Sequence, residues 1–155
     1  MGILIWKVMM SARQFDLTCD EIEQVYQSKF NAITPLVVNL AFTCELYLKA
    51  LLFITKGESM KRHDLQKLYS RQTVEVQESI YKEYYALHQT RPVPEKYRGE
   101  MNKEIFAAEL AEVKDAFEDW RYAYEKDESI RLGILKFLRM SLRKVASRLY
   151  DGLNF

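Results

Sequence analysis

The chain is poor in everything that breaks a helix. Among 155 residues there are three prolines and five glycines. Such sparse punctuation excludes a collagen-like or low-complexity chain and leaves long uninterrupted stretches. Cysteine and histidine are scarcer still: Cys19, Cys44, His63 and His88 are the full set. None are closely spaced, so no zinc site is expected, and the two thiols read as buried and reduced rather than as a disulfide. Charge of one sign is lacking too. A formal net charge of +1 supplies no overall field toward nucleic acid or an anionic membrane. The opening MGILIWKVMM has no basic n-region beyond the amino terminus and no small-residue cleavage site, so a signal peptide is not expected. Trp6 stands where a myristoylation signal wants Ser or Thr. The expected address is the cytoplasm.

What remains is ordinary globular material, 48% hydrophobic and 29% charged. This length suits one domain, residues 1–155, with a sizeable core. The breakers stand at the edges of patterned segments. Thr34 and Pro35 can open a helix, and Gly57 can close it. Pro92 and Pro94 mark a loop, and Gly99, Gly133 and Gly152 mark further boundaries. A 3.6-residue period fits the runs between them better than strand alternation. The spacing predicts helices over roughly 3–14, 19–30 (a second helix or a continuation of the first), 35–56, 63–72, 74–90, 100–125 and 131–151. Short connections between them imply an all-α, up-and-down bundle of about five to six helices.

The segment LVVNLAFTCELYLKALLFITKG, residues 36–57, is apolar nearly all the way round. It is long enough to span a bilayer, but a mid-segment Glu45 and Lys49 would each cost about 3 kcal/mol there. It is therefore read as the central helix of the bundle, with no membrane contact. Buried there, Glu45 needs a cationic partner. The segment FEDWRYAYE, residues 117–125, offers one: Phe117, Trp120 and Tyr124 recur at helical spacing, and Arg121 and Glu125 stand four apart. A planar guanidinium suits a carboxylate, so a direct Glu45–Arg121 contact is expected. Together Glu45, Lys49, Arg121 and Glu125 would form a polar seam, either fixing helix register or flooring a ligand site. In RHDLQKL, residues 62–68, His63 and Asp64 stand at a helix start with Leu65 and Leu68 pointing inward.

CELYLKALL at 44–52, HDLQKL at 63–68 and FEDWRYAYE at 117–125, in that order, resemble HEPN-domain proteins. The resemblance covers the middle and late chain. It implies a helical bundle, often a homodimer, acting around RNA or nucleotides in phage defence, toxin–antitoxin pairs and stress responses. It also implies, for active members, a metal-independent ribonuclease. Their motif is an Arg, usually a polar residue next, then a His after four to six intervening positions. This chain departs from that pattern. Lys126, Asp127 and Glu128 stand where the His after Arg121 should fall, and neither His63 nor His88 has an Arg at the required distance upstream.

Charge divides unevenly late in the chain. Residues 109–128 carry eight carboxylates, whereas 131–149 hold Lys136, Arg139, Arg143, Lys144 and Arg148 with no acid between Ile130 and Tyr150. Lys136, Arg139 and Arg143 share a face that reads as solvated, as a phosphate-binding stripe, or as a partner for the acidic helix. The expectation is a catalytically degenerate HEPN-like module that binds RNA, a nucleotide or a cognate antitoxin or other operon partner. Its binding residues would be Glu45, Lys49, Arg121, Glu125, Lys126, Lys136, Arg139 and Arg143, with no metal or cofactor. The alternatives are an active ribonuclease using Arg121 with a non-linear His63, and a structural dimerisation module.

Overall fold

The computed structural model describes residues 2–28, 33–121 and 132–150, and it is helical throughout, with no strand among them. Five helices are ten residues or longer: α1 (Gly2–Ser28), α2 (Ile33–Lys56), α4 (Val74–Gln89), α6 (Lys103–Val113) and α8 (Leu132–Leu149). Three short segments lie between them: α3 (Leu65–Ser70), α5 (Glu95–Arg98) and α7 (Ala116–Arg121). The all-α bundle expected from the periodicity is the fold observed.

Side chains set the boundaries. Asp64, Thr73 and Asn102 each accept a bond from the backbone N–H three residues on, capping α3, α4 and α6. Gly57 follows α2 at a φ of 66°, a left-handed conformation that costs glycine nothing, and its N–H reaches back to the Phe53 carbonyl. Of the two segments at 3–14 and 19–30, the second is the continuation of the first within α1. One expectation needs correction. The long helix over 100–125 is interrupted at Lys114 and Asp115. The Lys114 carbonyl there accepts a bond from the Leu65 N–H at 2.9 Å, so the interruption satisfies an otherwise orphaned donor at the start of α3.

α2 is the spine. α1, α3, α7 and α8 all pack on it. Leu36, Val37, Leu40, Ala41, Cys44, Leu48 and Leu51 are buried along its length. Its length and apolarity would suit a membrane span, yet these neighbours cover most of that surface. Pairs Asp16–Tyr47 and Cys19–Thr43 show that α1 runs antiparallel to α2. Thr43 gives its single hydroxyl proton to the Asn39 carbonyl, so Cys19 is the donor in the thiol contact. Cys44 donates to the Leu135 carbonyl on α8. Both cysteines are free and buried, and burial pushes both thiols up. On the other side Phe106 gathers Tyr69, Tyr81 and Tyr84, joining α3, α4 and α6.

The contact between α1 and α8 is charged. Asp16, Asp20 and Glu23 recur at i, i+4 and i+7 on α1 and meet Arg139, Arg143 and Lys136 on α8. Arg139 is 5% exposed. It donates to the Asp16 carboxylate at 2.9 Å and the Asp16 carbonyl at 3.0 Å, and pairs with Asp20 at 2.8 Å. Burial pulls its guanidinium down, but Asp20 and Asp16 outweigh that and hold it above its ordinary value. The Tyr47 hydroxyl donates to the other Asp16 oxygen at 2.8 Å. Removing one side of a buried pair leaves the other charge uncompensated. Arg139→Ala should therefore lose about 3–5 kcal/mol of stability, and the half-exposed Arg143→Ala about 1 kcal/mol or less. Denaturant unfolding of both variants checks this; equal small losses would contradict the buried pairing.

His88 behaves differently. It is 3% exposed on α4, and its Nδ1 finds no hydrogen-bond partner among the described residues. Burial, then the Arg91 cation, push its imidazole below the ordinary value, with Glu109 and a hydrogen bond to the Arg98 backbone opposing it. The unfolded chain takes up a proton here below about pH 6.5, whereas the folded protein does so only at lower pH. Stability should thus fall as pH drops through that window. A His88→Gln variant should lose this component, which thermal unfolding at a series of pH values will read as a flatter profile.

Candidate functional site

Glu45 projects from the middle of α2 and is 1% exposed. Four residues on, the Lys49 ammonium donates to its Oε1 at 2.6 Å. The His63 ring approaches both carboxylate oxygens through Nδ1 at 3.0 Å. A carboxylate only accepts, so Nδ1 carries the proton toward Glu45. His63 lies in the loop just before α3, whose Asp64 cap and inward Leu65 and Leu68 fix the backbone that presents it. Its side chain is 44% exposed, although its carboxylate partner is buried.

Aromatic packing holds the ring from another side. His63 stacks on Phe117 at 5.6 Å between centroids, and Phe117 stacks on Phe42 at 5.0 Å. Phe15 meets Phe42 edge-on at 4.7 Å. These contacts join α1, α2, α7 and the 57–64 loop. The Arg121 guanidinium lies 5.4 Å from the Phe117 centroid, so His63 and Arg121 share one ring as neighbour. Chemically, this is an imidazole oriented by a buried carboxylate beside a guanidinium able to hold a phosphate oxygen.

The expected Glu45–Arg121 contact is therefore corrected. The carboxylate is met by Lys49 and His63, and Arg121 stands at the exposed end of α7 against Phe117. The interruption at Lys114 and Asp115 separates α7 from α6, so a straight-helix projection does not place Arg121. His63 takes the role assigned to it. Glu125 and Lys126 lie outside the described residues. Lys136, Arg139 and Arg143 do not form an open phosphate stripe; they are held by Glu23, Asp16 and Asp20. Lys144 and Arg148 both reach Glu83 on α4. Burial raises the Glu83 carboxyl, but the bonds from Arg148 and Lys144 more than reverse this and leave it lowered. Among the described residues no group of three His, Cys, Asp or Glu could hold a metal ion.

Sequence reasoning missed Phe42 as the base of the stack and Asp16, Asp20 and Glu23 as the partners of α8. The i, i+4, i+7 spacing of those acids was the available signal for the latter. No family profile, curated protein or solved structure matches this chain.

Double-mutant cycles test the new assignment of partners. Glu45→Gln with His63→Ala should show a coupling of about 0.5–3 kcal/mol, and Glu45→Gln with Arg121→Ala should add to within about 0.5 kcal/mol. A larger coupling to Arg121 than to His63, read from denaturant unfolding, would restore the original pairing.

Proposed function

We propose that the chain is a HEPN-like module of the cytoplasm that binds the phosphates of RNA or a nucleotide around His63 and Arg121. The observation that carries this is convergence. Three segments with the HEPN-like pattern supply Glu45, His63 and the Phe117–Arg121 turn, and these meet at one corner of the bundle. A guanidinium, an exposed imidazole and stacked rings are the side-chain types that hold phosphate and base. The module works as a homodimer beside a cognate partner in a defence, toxin–antitoxin or stress system. Ile3, Leu4 and Trp6 are exposed on the opening turns of α1 and offer apolar surface for a protein contact.

A second reading, metal-independent cleavage, is favoured by the orientation of His63. With Nδ1 held by Glu45, its Nε2 is the nitrogen left to take a proton from a 2′-hydroxyl. The freed oxygen would attack phosphorus, and the 5′-oxygen would leave with a proton from a second acid, which a twofold dimer would bring. Arg121 would hold the non-bridging oxygens.

Labelled RNA incubated with purified protein in chelator tests both readings. The wild type should bind, and Arg121→Ala should weaken binding by roughly tenfold, the loss of one charge-assisted contact. Cleavage that disappears in His63→Ala while binding persists would establish the second reading. Unchanged binding in both variants would remove this corner as the site.

A further inference from the structure

The cations concentrated on α8 are consumed by α1 and α4, but the carboxylates between Lys56 and Arg71 are too few to match the cations there. In that segment Lys56, Lys61, Arg62, Lys67 and Arg71 face two carboxylates, Glu58 and Asp64, in a chain of formal charge +1. Glu58 is shared between Arg71 at 3.2 Å and Lys56 at 3.9 Å. Asp64 is engaged twice, by the Lys67 ammonium at 3.5 Å and by the Lys67 backbone N–H it caps. No carboxylate lies within ion-pair distance of Lys61 or Arg62 among the described residues. The excess is therefore local, and it is exposed.

It is also concave. Glu58, Ser59, Arg62, Lys67, Ser70 and Arg71 line a cleft of about 450 Å³, within the range of roughly 300–1,000 Å³ common for ligand sites. Two guanidiniums, one ammonium and the Ser59 hydroxyl suit tetrahedral phosphate oxygens, which the planar Arg fork meets in two-point contact, whereas the Ser70 hydroxyl gives its proton to the Gln66 carbonyl. Glu58 in the wall competes for Arg71. A single weak anion gains little against it, whereas a ligand bearing several phosphates engages Arg62 and Lys67 as well. Arg62 precedes His63 in the chain, so one wall of the cleft is carried by the immediate neighbour of the residue that Glu45 orients.

We propose that this cleft is a phosphate-binding subsite that anchors the backbone of a single-stranded RNA whose neighbouring phosphate lies at His63. The placement of the RNA rests on the function proposed above, while the phosphate chemistry of the cleft does not.

Two probes separate these. Inorganic tripolyphosphate, titrated calorimetrically, reads the cleft alone. The Arg62→Ala/Arg71→Ala variant should lose at least tenfold in affinity, and Lys144→Ala/Arg148→Ala, removing two cations from another face, should stay within twofold. No binding by the wild type, equal affinity in the cleft variant, or an equal loss in the control pair would each overturn the subsite. An oligouridylate, followed by anisotropy across a salt series, reads the backbone. Removing two phosphate contacts should flatten the slope of log affinity against log salt by roughly 1.4. An unchanged slope would overturn the anchoring of RNA in the cleft. If the oligomer fails to bind the wild type while the tripolyphosphate result holds, the RNA reading falls and the phosphate subsite stands.

Discussion

α2 has almost no free side, and the arrangement of the bundle follows from that constraint. A helix enclosed by four others cannot leave a polar group facing a neighbour without a partner, because an unmet buried donor or carboxylate costs more than a typical hydrogen bond returns. Each polar group on α2 therefore dictates what approaches it. Tyr47 requires an acceptor, and Asp16 on α1 supplies it. Asp16 is then itself buried and requires a cation, which Arg139 on α8 supplies. One hydroxyl on the spine thus fixes the register of two further helices through a continuous chain of bonds. Glu45, facing another way, does the same for Lys49 and for the loop holding His63.

The α1–α8 contact shows how a face that looks solvent-exposed ends up inside. Five cations on one helix with no acid among them invite the reading of a binding surface. Desolvating Arg139 is costly, but its Nη1 meets two carboxylates and a backbone carbonyl in one place, so the buried charge is compensated even though its Nε finds no partner among the described residues. The apolar stripe of Leu135, Leu138, Leu142 and Val145 packs into the core, and the charged rim closes on α1. Complementary spacing on α1 makes this possible, since acids at i, i+4 and i+7 occupy one helical face just as the cations do.

Much of the fold was legible because apolar periodicity and capping residues are local properties. The spine, the closing turn at Gly57, the start of α4 after Thr73 and the last helix can all be read from neighbours in the chain. The interruption at Lys114 could not, because the bond made there goes to Leu65, about a third of the chain away in sequence. The partner of Glu45 failed for a related reason. Burial of the carboxylate was legible from its apolar flanks, and so was the need for a cation. Which cation arrives is a tertiary fact, and the choice of Arg121 assumed an unbroken helix. His63 was legible as a helix-start residue but not as the group oriented by Glu45.

Glu45 serves structure and site at once without conflict. Its charge is matched by Lys49 from within the same helix, so the buried carboxylate has a cation independent of the loop. The bond from His63 is then available for orientation rather than for charge balance. Phe117 and Phe42 limit how far the ring can swing, since moving it breaks a stack continuous with the core. An imidazole restrained on one edge by a buried acceptor and on one face by an aromatic ring loses little further freedom when a ligand engages its other nitrogen, and low ordering cost is what favours binding there. The cations of α8 are neutralised elsewhere, so the positive field nearest in sequence to that imidazole comes from Lys61 and Arg62. Folding of the acidic face of α1 onto α8 thereby shifts the anion-attracting region of a nearly neutral chain from its last helix to the loop that carries His63.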